Sequence, residues 1–328
     1  MKPQMKLEKD PHIKDFHVKA PGAVGGPAVF CSRLKSELIN QGHSFVPVTH
    51  PGFFNNLSCI IGLAFKDAKN ILRLDGLYFD SENPNTDQLN STIFTCYSDF
   101  DHIVFQSEFS KQMYETITGV VKPSTIIPNG VPEYFNPKAK KTDDPRLSMI
   151  CNAYQKVCIA SASWRRHKRL EETIEAFDHW ELEDVCLLVL GGEEYRDKLD
   201  QTIPSNVYLL PKFAPEELPQ IYALADCMIH LSWLDWCPNT VVEALACGVP
   251  VLCSDNGGTK ELVRDNGTII CLEDKYEIGT RVPLYSPPKV DIDVVVDGIV
   301  KTLKLEKGFS RDDLKISEVA TKYLGLME

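Results

Sequence analysis

The feature that most constrains this chain is a repeated alternation of short, nearly continuous apolar runs with longer helix-like stretches. In the first half the runs are FHVKA (16–20), SFVPVTH, NILRLDG, HIVFQS and STIIPNG, with helices over about 28–40 and after Ser110. The second half repeats the order with KVCIASAS, VCLLVLGG, NVYLLPKF, CMIHLS and VPVLCS, and with helices over about 170–177, 215–223 and 239–247. A strand that is apolar on both faces belongs to a parallel sheet covered on both sides, and the intervening helices are the crossovers that such a sheet needs. The class is therefore α/β. At 328 residues and 43% hydrophobic content the chain supports two doubly wound domains. The stretch PEYFNPKAKKTDDPRLS (132–148), rich in proline and charge, reads as the linker between them. This divides the chain at 1–138 and 139–290, and leaves 291–328 for C-terminal helices expected to pack back toward the first domain. Two such domains face each other across a cleft at the carboxyl ends of their strands, so binding residues are expected just after strands.

Composition narrows the function classes. No apolar run approaches the ~18 residues that span a bilayer, and the start, MKPQMKLEKDPH, lacks the apolar centre of a signal peptide, which predicts a cytoplasmic protein. The 11 cysteines form no C-x-x-C pair and lie mostly in apolar segments, so they read as reduced, buried thiols. A net charge of -11 argues against a nucleic-acid binder, which needs a basic surface. Residues 1–140 balance 14 basic against 14 acidic side chains, leaving 21 against 32 in the remainder. The near-neutral first half offers at most a weak peripheral membrane contact.

Inside the acidic half, Trp164-Arg165-Arg166-His167-Lys168-Arg169 gathers cations at a strand-to-helix turn. Unpaired amides and the helix dipole suit a diphosphate there, and Arg and Lys add charge-assisted hydrogen bonds. His167, amid those cations, reads as a packed or capping residue. The densest pattern is 232–263, where Asp235 stands eight positions before Glu243 with Asn239 and Thr240 opening a helix between them. The amides around Asn239 would receive phosphate or sugar oxygens, while Glu243, one turn in, would take vicinal hydroxyls; the alternative is an ordinary capped helix with a solvated glutamate. In the first half Gly22, Gly25 and Gly26 follow a strand and would let backbone approach a phosphate or acceptor, although they do not form the G-x-G-x-x-G of dinucleotide binding. Asp75 ends NILRLDG at the cleft. It is either an acceptor contact or a buried turn aspartate capping nearby amides.

The segment Asp235, Pro238, Asn239, Glu243, Ala244, Ala246, Gly248, Pro250, Val251, then Gly257, Gly258 and Glu261, resembles the E-x7-E region of family 4 retaining glycosyltransferases, the glycosyl transferases group 1. Residues 164–170 resemble the family's phosphate loop, IIPNGV (126–131) the end of its first domain, and GGPAVF with the later QGH its glycine loop and first helix. The resemblance implies the GT-B architecture of two Rossmann-like domains. It implies that Glu243 binds the ribose, Lys168 with Arg165 or Arg166 the diphosphate, Asp235 the donor sugar, and Asn239 and Thr240 sugar or phosphate through their amides. Gly25, Gly26 and Glu261 would complete the donor site. Two positions depart from the pattern: Asp235 replaces the usual glutamate, and Ser163 stands where many members carry arginine.

The activity so implied is retaining, metal-independent transfer of a hexose-type sugar from a UDP- or GDP-sugar to a hydroxyl of a glycan or glycoconjugate, with no other cofactor. Asp99-Phe100-Asp101 mimics the D-x-D metal motif of the other major transferase fold, but it precedes a first-half strand and the family works without a bound metal. A sugar-nucleotide epimerase or phosphorylase would need acid/base residues or a pyridoxal lysine that the sequence does not display. A catalytically silent member that binds glycans or partner proteins is the reading favoured by the short first domain and by the two departures.

Overall fold

The computed structural model describes residues 14–19, 25–47, 54–272 and 275–327, so Gly22 lies outside the described residues. The first domain is a six-stranded sheet of β1 (Asp15–Lys19), β2 (Ser44–Phe45), β3 (Phe54–Cys59), β4 (Ala68–Leu74), β5 (His102–Phe105) and β6 (Ser124–Ile126), in the order β2-β1-β3-β4-β5-β6. Its helices are α1 (Gly26–Asn40), α2 (Thr86–Asp99) and α3 (Glu108–Thr118). After α4 (Pro145–Asn152) the second sheet takes β7 (Lys156–Ser161), β8 (Val185–Leu190), β9 (Val207–Leu210), β10 (Cys227–His230), β11 (Val251–Ser254) and β12 (Gly267–Ile270) in the order β12-β11-β10-β7-β8-β9. Every described strand pair in both sheets is parallel.

Side-chain alternation along the strands builds a core on each face. In the second sheet Val157, Ile159, Leu188 and Leu190 enter one cluster with α7 (Asn239–Ala246), while Cys158, Ala160, Leu187 and Val189 enter the other with α5 (Leu170–Glu175). Both faces are thus dry, which is why these strands read as unbroken apolar runs.

Two strands were not legible as such. β3, FNNLSC, carries Asn55, Asn56 and Ser58 in buried positions. Asn56 stands in register with Asn70 of β4 and donates to its Oδ1 at 2.9 Å and to the Leu63 carbonyl at 2.8 Å. Buried amides are tolerated because they are hydrogen-bonded, and that partner lies on another strand. Asp101 accepts from the Asn70 amide and side chain at 3.1 and 3.2 Å, so the apparent D-x-D pair contributes a structural carboxylate. β12 opens on Gly267, where a Cβ would lie 1.9 Å from the Val251 carbonyl oxygen, and only glycine lets this edge strand approach so closely.

The expectation that all of 291–328 returns to the first domain needs correcting. α9 (Ile292–Thr302) packs through Val295, Val296 and Ile299 onto the second sheet, where Gly298 passes directly over Leu252 and Ile270. Only α10 (Ile316–Gly325) crosses over. Its Ile316, Val319, Ala320 and Tyr323 join Phe16, Phe30 and Leu34 in the first-domain core, and at the crossing the Val131 amide donates to the Leu314 carbonyl while the Val131 carbonyl accepts from the Ile316 amide. The 132–148 segment is likewise not free, since Phe135 is fully buried against Tyr222.

A further strap joins the domains. Val282 pairs with Asp80 as an isolated parallel bridge, and Tyr276, Ile278 and Leu284 pack among Phe79, Phe109 and Trp236. Tyr323 is fully buried beside Phe30. Replacing it, Tyr323→Ala, should lower stability by about 3–5 kcal/mol. The measurement is the urea unfolding midpoint; an unchanged midpoint would mean that α10 contributes nothing to the first-domain core.

Candidate active site

The order in which strands are added to the second sheet reverses between β7 and β10, the topological switch point where open parallel sheets leave a crevice. The loops that leave these two strands carry the basic cluster and Asp235. Neither loop is slack. The Trp164 indole donates to the Leu190 carbonyl at 2.8 Å, the Trp233 amide donates to the His167 carbonyl at 2.8 Å, and the Arg169 guanidinium reaches the Pro288 carbonyl at 3.0 Å. Arg169 and Leu234 have φ of 55° and 61°, a left-handed backbone that bulky residues adopt only when the surroundings enforce it. The glycine pair after β11 serves the same corner. Gly257, at φ 83°, would drive a Cβ to 2.7 Å from the Asp235 carbonyl oxygen, and the Gly258 amide donates to that oxygen at 2.8 Å.

Lys168 and Asp235 form an ion pair across the switch, with His230 Nε2 at 3.5 Å from the same carboxylate oxygen. Burial alone would raise the Asp235 carboxyl, but Lys168 and His230 outweigh it and hold the group well below the usual carboxylate range. Burial pushes the fully enclosed His230 down, and burial with Lys168 alongside pushes His167 down to about 3, so both imidazoles are neutral near pH 7.

The basic cluster divides. Arg166 is held by Glu172 at 2.8 Å and Glu171 at 3.7 Å, away from the cleft. Arg165 is exposed, lines the cleft with Lys168, and makes no ion pair among the described residues.

Two chambers meet at Lys168 and Asp235. The larger, of about 600 Å3, runs from Gly25 and Gly26 past Asp75 to Asn239, Thr240 and Glu243. The smaller, of about 360 Å3, lies between the segment after β4 and the strap, and both are lined by Arg165 and Trp236. Trp236 sits over Gly76, where a Cβ would come within 2.3 Å of the indole, and packs on Phe79 and Phe109 at 5.4 and 5.1 Å between centroids. A residue of the second domain's switch loop is therefore seated in the first domain.

At the far end of the larger chamber Glu243 is buried, with Arg33 of α1 at 2.6 Å on Oε1 and the Tyr222 hydroxyl at 3.4 Å from Oε2. Its carboxyl is raised by burial despite both neighbours. Asn239, at the amino end of α7, accepts from Asn129 at 2.8 Å and donates to the Gly26 carbonyl at 3.2 Å, so it bridges the domains. Asp75 accepts from Arg73 and Gln106 on one oxygen, and its buried Oδ2 has no partner among the described residues.

The structure thus gathers Lys168, Arg165, Asp235, Asp75, Glu243, Asn239, Thr240, Gly25 and Gly26 around one cleft. It does not bring Arg166 or Glu261 there. Both Glu261 oxygens accept backbone amides, Glu108 at 2.6 Å and Phe109 at 2.8 Å, so this residue caps α3 of the opposite domain. Arg33 and Asn129 went unnoticed in the sequence. Arg33 is one of two cations on an amphipathic helix, with Lys35, and nothing in the sequence sets it apart, whereas Asn129 sits in the IIPNGV segment and is open to notice.

Comparison with known proteins bears on this architecture. Residues 152–278 match the family described as glycosyl transferases group 1. The chain is similar to GDP-mannose-dependent alpha-mannosyltransferase of Mycobacterium tuberculosis, 31% identical over 27% of the chain and 23% of that protein. It also resembles N-acetyl-alpha-D-glucosaminyl L-malate synthase of Bacillus anthracis, 28% identical over 35% of the chain and 31% of the relative. These matches span less than a third of either relative. Among solved structures, HepE of Anabaena in complex with UDP and glucose superposes with a TM-score of 0.62 at 13% identity, covering 96% of this chain and 99% of that one. Sucrose-phosphate synthase from Thermosynechococcus elongatus superposes at 0.60 with 10% identity over 96% and 94%. Among the described residues no helix is long and apolar enough to cross a membrane. The match to the glycosyl transferases group 1 thus falls on the second domain, at residues 152–278, and the chain as a whole shares the two-domain GT-B architecture.

Proposed function

We propose that this protein is a metal-independent, retaining glycosyltransferase that moves a hexose-type sugar from a UDP- or GDP-sugar to a hydroxyl of a glycan or glycoconjugate, in the cytoplasm. The observation that carries the reading is the larger chamber. It has a buried carboxylate, Glu243, at one end and the cations Lys168 and Arg165 at the other, with the amino end of α7 between them. This is the order of a ribose, a diphosphate and a sugar. Glu243 would take the vicinal ribose hydroxyls with Arg33 fixing its other oxygen, Lys168 and Arg165 the diphosphate, and Asp235 and Asp75 the sugar or the incoming hydroxyl. Asn239 and Thr240 would offer backbone amides, and Gly25 and Gly26 would let the first domain close on the phosphate.

The chemistry follows from the charges. As the glycosidic bond breaks, negative charge grows on the leaving diphosphate while the sugar becomes cation-like. Lys168 and Arg165 oppose the first and Asp235 the second, so the same groups bind the transition state better than the ground state. Lys168 must exchange some of its contact with Asp235 for the phosphate. Retention, the absence of a metal and the identity of the sugar rest on the family resemblance.

Thermal-shift screening against UDP, GDP, ADP and their sugars tests the donor site, since a ligand at about 100 times its Kd adds about 2.7 kcal/mol. One uridine or guanosine nucleotide should stabilise the wild type. Glu243→Gln should weaken that nucleotide about 10- to 100-fold, as loss of charged hydrogen bonds to the ribose requires. No stabilisation by any nucleotide would leave the catalytically silent reading.

Steady-state kinetics test the cations. Lys168→Ala and Arg165→Ala should each lower kcat about 100-fold or more with a smaller effect on KM, whereas Arg166→Ala should leave both within about threefold. A larger loss in Arg166→Ala than in Arg165→Ala would reverse the assignment.

A further inference from the structure

We propose that the smaller chamber is the acceptor site and that it selects an uncharged, hydroxyl-rich saccharide end over a phosphorylated or carboxylated one. This rests on the donor reading of the larger chamber and adds the class of the second substrate. The two chambers share Lys168 and Asp235. With the nucleoside on the Glu243 side, a sugar held at Asp235 has its free side toward the smaller chamber, where the attacking hydroxyl must arrive.

The walls of that chamber come from both domains. The segment after β4 supplies Tyr78, Asp80 and Asn83, the strap supplies Tyr285, and the loop after β7 supplies His167. Tyr78 and Tyr285 are 45% and 44% exposed, and each offers a ring face for the C–H face of a sugar with a hydroxyl at its rim. The Asp80 Oδ1 is occupied by the Glu82 and Leu284 amides at 3.1 and 3.3 Å, which fixes the carboxylate and leaves Oδ2 available. The Asn83 Oδ1 accepts from the Asn85 amide at 3.0 Å, which leaves its amino group. His167 is buried at 7% exposure, its ring meets Tyr285 at 5.3 Å, and its Nδ1 has no partner among the described residues. An orphaned polar atom on a nearly closed wall implies a ligand that satisfies it.

The charge balance decides the class. In the donor reading Lys168 and Arg165 serve the diphosphate and Asp235 the donor sugar, so the charge left to this chamber is the Asp80 carboxylate. An anionic acceptor would face it without a free cation, which is unfavourable at close range. A hydroxyl-rich neutral ring meets donors and acceptors on every wall. The volume of about 360 Å3 lies at the small end of ligand sites, matching a saccharide terminus.

Ligand-observed saturation-transfer NMR on the full chain, with UDP and with GDP present, tests this directly. The probes are methyl α-mannoside, N-acetylglucosamine and maltose against mannose 6-phosphate and glucose 6-phosphate. At least one neutral sugar should receive saturation and the phosphorylated sugars should not. Tyr78→Ala should weaken that neutral sugar about tenfold, as removal of an aromatic platform requires, while the nucleotide-induced thermal shift stays at the wild-type value. Tyr78→Phe, which keeps the ring, should retain most of the binding. Stronger binding of a phosphorylated sugar, an unchanged signal in Tyr78→Ala, or no signal from any neutral sugar would overturn the assignment. Failure of all nucleotides to stabilise the protein is a separate outcome. It would remove the donor reading and this inference with it.

Discussion

The pairing of Lys168 with Asp235 is the interaction around which the rest of the site is arranged. One charge comes from the loop after β7 and the other from the loop after β10, so the pair closes the switch point of the second sheet. Two largely buried charges persist only when each is compensated. Asp235 is further fixed through its backbone, by the left-handed Leu234 before it and by the Gly258 amide on its carbonyl. Its shorter side chain is matched to that fixed backbone, and the lysine reaches across to it.

The same loop binds the domains together. Trp236, adjacent to Asp235, is seated between Phe79, Phe109 and Gly76 of the first domain, and Glu261 caps α3 nearby. The strap pairs with Asp80, and α10 completes the first-domain core. The position of the first domain relative to Asp235 is thus set by contacts that begin one residue away from it. Any opening of the cleft must extract an indole and uncap a helix, so movement of the domains and the placement of Asp235 are mechanically linked.

Much of this was legible in the sequence, for a physical reason. Strands buried on both faces announce themselves by composition, and segments that follow strand ends in such sheets face the cleft, which is how Lys168 and Asp235 could be selected, while Glu243 followed from its eight-residue spacing to Asp235 on the next helix and from the family resemblance. β3 escaped because Asn55 and Asn56 look like loop residues until Asn70 is placed beside them. Arg33 escaped because its partner Glu243 is 210 residues away, and nothing local distinguishes it from a solvated helix cation. Glu261 was misread for the converse reason. A glutamate just after a glycine pair can turn toward a ligand or toward a neighbouring helix, and the choice depends on where α3 lies. Arg166 and Arg165 are indistinguishable in sequence, and the acid at Glu172 separates them.

Glu243 is where burial and charge compensation meet across the cleft. Burial raises its carboxyl, while Arg33 and Tyr222 favour the ionised form, so the residue is balanced between desolvation and compensation. Vicinal hydroxyls arriving at this carboxylate would add hydrogen bonds to the charged form and tip that balance further toward it. Because Arg33 belongs to the first domain and Glu243 to the second, their bond at 2.6 Å also crosses the cleft. A ligand that strengthens the ionised state of Glu243 strengthens its attraction to Arg33. On the proposed donor reading, occupancy of the ribose end and closure of the domains would therefore favour one another, by the same reciprocity that links any two equilibria sharing a state.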